Sequence, residues 1–325
     1  MRIPLSGTAT GLLLGYAADA VLGDPVRLHP VAGMGTAAAW LESHWYADSR
    51  ARGIGHTAVL VGCAVAAGSV VPRSQRDRCA GVTLTALATW IALGGSSLLA
   101  VGQQVADAVS AGDVATARAL VPSLCGRDPQ SLDLDGIVRA ATESIAENTS
   151  DAAVAPLLWG AVAGVPGLLG YRMANTLDAM VGYRNERYAR FGWAGARFDD
   201  VLNYLPARFS GVAVVVAGGG KRAWAAWHRD ASRHPSPNAG VVEAAFAGAL
   251  GVRLGGETVY AHRVEMRPQL GDGRAPTVDD LRRAVRLSRR VQLVTLTAVA
   301  VGQFALGAAR RSRGVGAVAD AGNLV

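Results

Sequence analysis

Uncharged runs of membrane length constrain this chain more than any other feature. The stretch Ala80–Val101, "AGVTLTALATWIALGGSSLLAV", holds 22 residues without one charge. About 20 mostly apolar residues in a helix span a hydrocarbon core. Three more runs approach that length. Gly7–Leu22 is short and holds Asp19. Ile54–Val71 is uninterrupted apart from His56. Val291–Ala309 lies between the pairs Arg289-Arg290 and Arg310-Arg311. Two stretches are ambiguous. Ala152–Leu169 contains Pro156 and Pro166 with Gly160, Gly164 and Gly167, and 205–219 has only Ser210–Gly219 as its apolar part. Proline and glycine mark broken or re-entrant segments, which persist at membrane depth only inside protein or beside water.

These runs predict an all-α, polytopic integral membrane protein with re-entrant or broken helices and cytoplasmic helical loops. It forms a single domain over 1–325. The spans fall near 7–22, 54–71, 80–101 and 291–309, with polar loops at 23–53, 102–150, 171–204 and 220–290. Met1–Gly23 has a faint signal-peptide character, but Asp19 interrupts it, so it reads as an uncleaved first helix. Val105–Leu120 reads as helix with the break "AGD" inside it. Val278–Arg290 reads as a helix leading into the last span. Strand signals are few.

Charge supports the same class. Only 18% of residues are charged, and 40 are Gly, against about 25% charged in soluble domains. Small residues let membrane helices approach closely. The net charge of +7 is almost wholly arginine, Lys221 being the only lysine. Lys221–Arg290 is the largest basic block; if both ambiguous segments span, or neither does, it shares a side with 23–53 and 103–150, and the positive-inside rule makes that side cytoplasmic. The segment 171–200 joins that side if Ala152–Leu169 turns back. Scattered arginines without a binding motif argue against a nucleic-acid partner. Cys63, Cys79 and Cys125 show no CxxC spacing and read as ordinary thiols.

Four polar stretches could carry chemistry. In "ESIAENTSDAAVAP", Glu143, Glu147 and Asp151 are four apart and share one helical face, with Asn148 beside them. Like charges at that spacing repel, so they need arginines, a divalent cation or a cationic substrate. The alternative is a solvated helix end. The second stretch, Tyr171–Arg208, packs Asn175, Asp178, Arg184, Asn185, Glu186, Arg187, Asp199, Asp200, Asn203 and Arg208 together. It offers carboxylates to a metal and guanidiniums to phosphate, or else a surface of helical ion pairs such as Glu186 with Arg190. The third, "LGDPVRLHPVAGMG", is a turn that places Asp24 just past the first span. The fourth, "SPNAGVVEAAFAGALGVRLGG", offers Asn238 as a helix cap and Glu243 inside a small-residue helix. "GGGK" at Gly218–Lys221 is no P-loop, because Val215 and Arg222 occupy required positions. No dinucleotide or nucleophile-elbow fingerprint is present.

Taken in order, "GDPVRLHPV", "ESIAENTSDAAVAPLLW", "YRMANTLDAMVGYRNERYARFGWAGARFDDVLNYLPAR" and "SPNAGVVEAAFAGALGVRLGG" resemble motifs of the CbiB/CobD family of cobalamin biosynthesis. The resemblance runs from about Gly11 to Ala309. One departure is Val242, where the family usually has Pro before the Glu of the fourth motif. The resemblance implies adenosylcobinamide-phosphate synthase activity in a bacterial plasma membrane. The propionate of adenosylcobyric acid would be joined through an amide to (R)-1-aminopropan-2-ol or its O-phosphate, driven by ATP with Mg2+. Glu143, Glu147, Asp151 and Asp178 are the catalytic candidates, and Glu147, Asp151 and Asp178 the candidate Mg2+ ligands. Asn148 and Asn175 would orient substrate or metal-bound water, and Arg184 and Arg187 would meet phosphate. Asp24, Asn185, Asn203, Arg208, Asn238 and Glu243 complete the binding set, with Asp199 and Asp200 as further acids. Expected partners are the corrinoid, the amino alcohol, the bilayer and other late-pathway membrane enzymes. A transporter or channel with an intramembrane acidic site is the alternative, although no repeated halves are evident.

Overall fold

A computed structural model describes residues 7–24, 29–70, 78–183, 185–260 and 263–322. The helices in chain order are α1 (Gly7–Leu22), α2 (Pro30–Trp45), α3 (Arg50–Ser69), α4 (Arg78–Ala92), α5 (Gly95–Ser110) and α6 (Val114–Leu120). They continue with α7 (Leu134–Thr149), α8 (Ala155–Val181), α9 (Tyr188–Phe191), α10 (Trp193–Val214), α11 (Gly220–Asp230), α12 (Ala239–Leu250) and α13 (Val278–Gly322). Among the described residues, five helical stretches are long and apolar enough to cross a membrane: Arg50–Ser69, Cys79–Ser110, Leu134–Val181, Trp193–Arg233 and Val278–Gly307. The all-α polytopic expectation therefore holds. α1 and α12 are apolar but shorter.

Two local expectations need correction. One concerns strands: β1 (Leu254–Tyr260) and β2 (Arg263–Leu270) pair antiparallel inside the stretch read as helical loop. Glu257-Thr258-Val259 and Val264-Glu265-Met266 alternate too briefly to stand out from loop. The other concerns the strongest apolar run, Ala80–Val101. It is not one helix but breaks at Leu93-Gly94, between α4 and α5.

That break shows how the fold handles interrupted helices. Pro156 has no N–H, so the carbonyl of Ala152, four residues earlier, loses its helical donor. Gly94 N donates to Ala152 O at 3.0 Å. The broken α4–α5 junction thus supplies what the proline removes. Beside it, Asp19 caps α5, accepting from Ser96 N at 3.0 Å and Ser96 Oγ at 2.9 Å. The acid that interrupts α1 is a cap for another helix. Pro206 frees Leu202 O in the same way, and Trp159 Nε1 donates to it at 3.1 Å. At the next break, Gln303 Nε2 donates to Ala161 O at 2.6 Å.

The segment 152–169 turns back on itself. A five-residue π-turn at Ser150–Val154 joins α7 to α8, and α8 breaks at Gly164, with φ 65° and ψ −151°. That backbone region belongs essentially to glycine. Beyond it the chain folds against itself: a Cβ on Gly167 would stand 2.5 Å from Trp159 O. Tyr171 OH donates to Asp151 O at 3.1 Å across 20 residues, which a straight helix would hold about 30 Å apart.

Packing follows residue size. Gly11 and Gly15 of α1 sit against Thr85 and Thr89 of α4, where added Cβ atoms would fall 2.5 and 2.4 Å from the threonine Cβ atoms. This close small-residue contact replaces the hydrophobic drive that lipid cannot supply. The main core lies among α5, α7, α12 and α13, with Val105, Ile137, Ile145, Phe246 and Leu281 fully buried.

Candidate functional site

The acid face of α7 is no solvated helix end: Glu143 is buried, and Glu147 and Asp151 are partly buried. Glu143 is 2% exposed. Its Oε2 accepts from Arg127 Nη2, and its Oε1 accepts from Gly255 N at 2.7 Å. Gly255 has φ 86°, and a Cβ there would lie 2.1 Å from Pro268 O. Glycine is therefore required for the bulge that turns this N–H toward Glu143. One turn further along α7, half-buried Glu147 lies in the field of Arg267, Arg127 and Glu143. Glu243, from α12, is 1% exposed and lies in the field of Glu143, Glu147, Arg267 and Arg127. Three carboxylates thus face two guanidiniums.

His234 completes this end. Its Nδ1 accepts from Ser236 N at 3.0 Å. A neutral ring then carries its proton on Nε2, which faces Glu243 Oε1 at 3.6 Å. Neither atom has a hydrogen-bond partner among the described residues, although both are buried. Burial, with the Arg267 guanidinium adding to it, pushes the imidazole down to about 4.

A second group of acids begins one turn beyond Glu147. Asp151 lies in the field of Asp199, Glu147 and Asp178. Asp199 is 8% exposed; it accepts from Asn203 Nδ2 at 2.9 Å and from Asn175 Nδ2 at 3.4 Å. Tyr171 OH reaches Asn203 Oδ1 at 2.9 Å. Arg172 lies in the field of both Asp151 and Asp24. Glu147 is the hinge between the two groups. Together they form one polar bay where α7, α8, α10, α12 and the β-hairpin meet. So many buried or partly buried carboxylates with few cations form a bay suited to a cationic ligand.

The other expected residues have local tasks. Asn148 Nδ2 donates back to Ser144 O and Oγ, both at 3.0 Å. Asn238 accepts from Arg208 Nη1 at 2.8 Å and donates to Asp200 O at 2.8 Å, tying α12 to α10. It makes no side-chain cap bond at the start of α12. Val242 simply continues that helix. Asp24 lies 3.8 Å from His29. Asn185 Oδ1 accepts from Tyr188 N at 2.9 Å, closing the turn that leads into α9. Arg187 is not in the bay: it donates to Glu42 Oε1 at 2.8 Å and lies over the Tyr46 ring at 4.1 Å. Arg190 pairs with Asp48 at 3.6 Å rather than with Glu186. Arg184 lies outside the described residues.

Sequence reasoning passed over Arg127, His234, Arg267, Tyr171 and Arg172. "CGRDP" and "HPSPN" are turn sequences whose polar residues look solvated until α7 and α12 are packed against them. Among the described residues, no group of three or more His, Cys, Asp or Glu is gathered to hold a metal ion. A magnesium ion held by one or two carboxylates and by substrate phosphates needs no such group.

The fold and bay define a polytopic helical membrane protein with a buried acid–arginine site at the junction of its broken helices. Comparison with known proteins gives the family. The model of the CobD/Cbib protein family matches residues 12–288, and the chain belongs to that family of cobalamin biosynthesis. It is 58% identical over 289 residues to the cobalamin biosynthesis protein CobD of Mycobacterium tuberculosis, covering 87% of this chain and 92% of that one. It is 42% identical over 281 residues to CobD of Chromobacterium violaceum, covering 84% and 89%. A CobD of Rhodobacter capsulatus is also 42% identical, over 292 residues covering 87% and 93%. No solved structure matches the chain.

Proposed function

We propose that the chain is an adenosylcobinamide-phosphate synthase, a ligase joining a carboxylate of adenosylcobyric acid to (R)-1-aminopropan-2-ol or its O-phosphate at the expense of ATP. Membership in a cobalamin-biosynthesis family supports this reading over a transporter or channel. The observation that carries it is the juxtaposition of Glu143, Glu147, Asp151, Asp199 and Glu243, acids from three of the four motifs, where α7, α10 and α12 meet. Amide ligation needs cations for phosphoryl charge and a base for the ammonium proton. The bay holds both kinds of group.

The roles divide by what each side chain already does. Glu143 is held by Arg127 and Gly255 N, so it fixes the guanidinium and the hairpin. Glu147 is the acid placed to receive the ammonium and its proton. Arg127 and Arg267 border it and would neutralise phosphate. A magnesium ion carried in on the nucleotide would be held by Asp151 and Asp178, screening phosphate charge. Asn175 and Asn203 hold Asp199 in position beside them. The enzyme would work in the bacterial plasma membrane, with the bay on the cytoplasmic side and other late-pathway membrane enzymes as neighbours.

The test is direct ligation. Membranes containing the full chain, with Mg-ATP, adenosylcobyric acid and each amine, should give an amide product detected by mass. Glu147→Gln and Asp178→Asn should lower turnover at least about 100-fold, within the range general acid–base groups contribute, while leaving the purified protein folded. Full activity in either variant, or no product with wild type, sinks the proposal.

A further inference from the structure

A second charged cavity lies away from the bay. α13, α12 and the junction of α10 with α11 enclose about 290 Å3. Arg283, Arg286 and Arg290 line it, and no acid does. Arg283 is partly committed, donating to Asp280 Oδ1 at 2.9 Å and Leu250 O at 3.1 Å. Arg286 and Arg290 make no ion pair or hydrogen bond with any described residue. The remaining wall includes Leu287, Ala217 and Gly218. Gly218 has φ 130°, and a side chain there would begin 3.6 Å from Arg290 Nη1.

The surroundings set the depth of this cavity in the membrane. At 100° per residue, Arg286, Arg290, Leu293, Val301 and Phe304 fall within an arc of about 80° on α13. The apolar members are open to the surroundings: Leu293 46%, Val301 61% and Phe304 37% exposed. One face of the helix therefore changes from cationic to lipid-facing within one turn. Across the cavity, Val212 and Val216 near the end of α10 are 47% and 66% exposed. α11 then leaves the α10 axis at the Gly218–Gly220 break. It carries half-exposed Trp224, whose ring lies 4.0 Å from that of His228 and 5.4 Å from that of Trp227. Aromatic side chains of this kind mark the headgroup level.

We propose that this cavity binds the phosphate of an acidic phospholipid headgroup, with Arg286 and Arg290 as its ligands and the exposed apolar faces of α10 and α13 receiving the acyl chains. Guanidinium forks match phosphate oxygens, and basic clefts between membrane helices recognise anionic headgroups. A free phosphate would share the arginines but would gain nothing from Leu293, Val212 and Val216. The lipid uses both halves of the surface.

The experiment is native mass spectrometry of the full chain in neutral detergent, with phosphatidylglycerol, phosphatidylcholine and inorganic phosphate as probes. Wild type should retain phosphatidylglycerol at least about fivefold better than phosphatidylcholine. Arg286→Gln with Arg290→Gln should lose that preference, and Arg286→Lys with Arg290→Lys should keep most of it. Millimolar inorganic phosphate should not displace the lipid. Equal retention of the two lipids by wild type overturns the proposal, as does unchanged selectivity in the Gln pair. Full displacement by phosphate would assign the arginines to a soluble anion instead. Should the Gln pair fail to purify, each single Gln variant gives the same readout, with unaltered selectivity in both counting against the site.

Discussion

Replacing Arg127 with Met tests the clamp that holds the bay together. The Arg127 and Glu143 side chains are 4% and 3% exposed, so solvent screens neither. Methionine keeps much of the apolar stem and removes the charge. Among the described residues, Glu143 then retains Gly255 N as its one remaining hydrogen-bond donor. Breaking a buried pair by removing one partner costs about 3–5 kcal/mol. At about 2–4 °C per kcal/mol, the melting temperature in mild detergent should fall by roughly 6 °C or more. The companion variant decides the cause. Adding Glu143→Gln removes the stranded charge while the amide oxygen still accepts from Gly255 N, so about 2 kcal/mol or more should return. A double-mutant cycle isolates the pair. If Arg127→Met lies within about 1 kcal/mol of wild type, or the double variant is no better than the single, the clamp is not what stabilises this corner.

Trp159→Phe should cost about 1 kcal/mol, the low end of the penalty for a stranded carbonyl because this one is partly buried, since Leu202 O depends on the indole once Pro206 has removed its helical donor; thermal unfolding that matches wild type would refute this. The His234 imidazole is held down to about 4 in the folded protein, below an unfolded value of about 6.5. Its contribution is complete above about pH 6.5 and is lost as pH falls toward 4, amounting to about 3 kcal/mol by linkage. Unfolding measured across that window should be flatter in His234→Gln than in wild type. An equally steep profile in the variant would place the pH dependence elsewhere.

Legibility in the sequence tracked how local each feature is. The AGD break between α5 and α6 and the helix entering the last span were readable, because turn residues and helical spacing act over a few positions. Glu143, Glu147 and Asp151 on one face followed from helix geometry alone. Arg187 is the opposite case. A cluster dense in sequence looks like one site, but Glu42, 145 positions away, takes this arginine into an ion pair with α2. The hairpin was missed because its alternation is short and its two glycines read as loop.

The sequence by itself determined the membrane class, the proline-marked break in 152–169 and the acids beside it, since helix satisfies its own backbone in lipid and proline cannot donate. Only the tertiary structure decided what each break means. Gly94 N and Ala152 O are both orphaned by local sequence, and each is the other's partner 58 residues away. Asp19 looks like a flaw in a span until Ser96 arrives to be capped. Glu143 looks like a free acid until Arg127 and Gly255 close on it. A stranded backbone group or a buried charge states a need in the sequence, and packing across the fold chooses the donor that meets it.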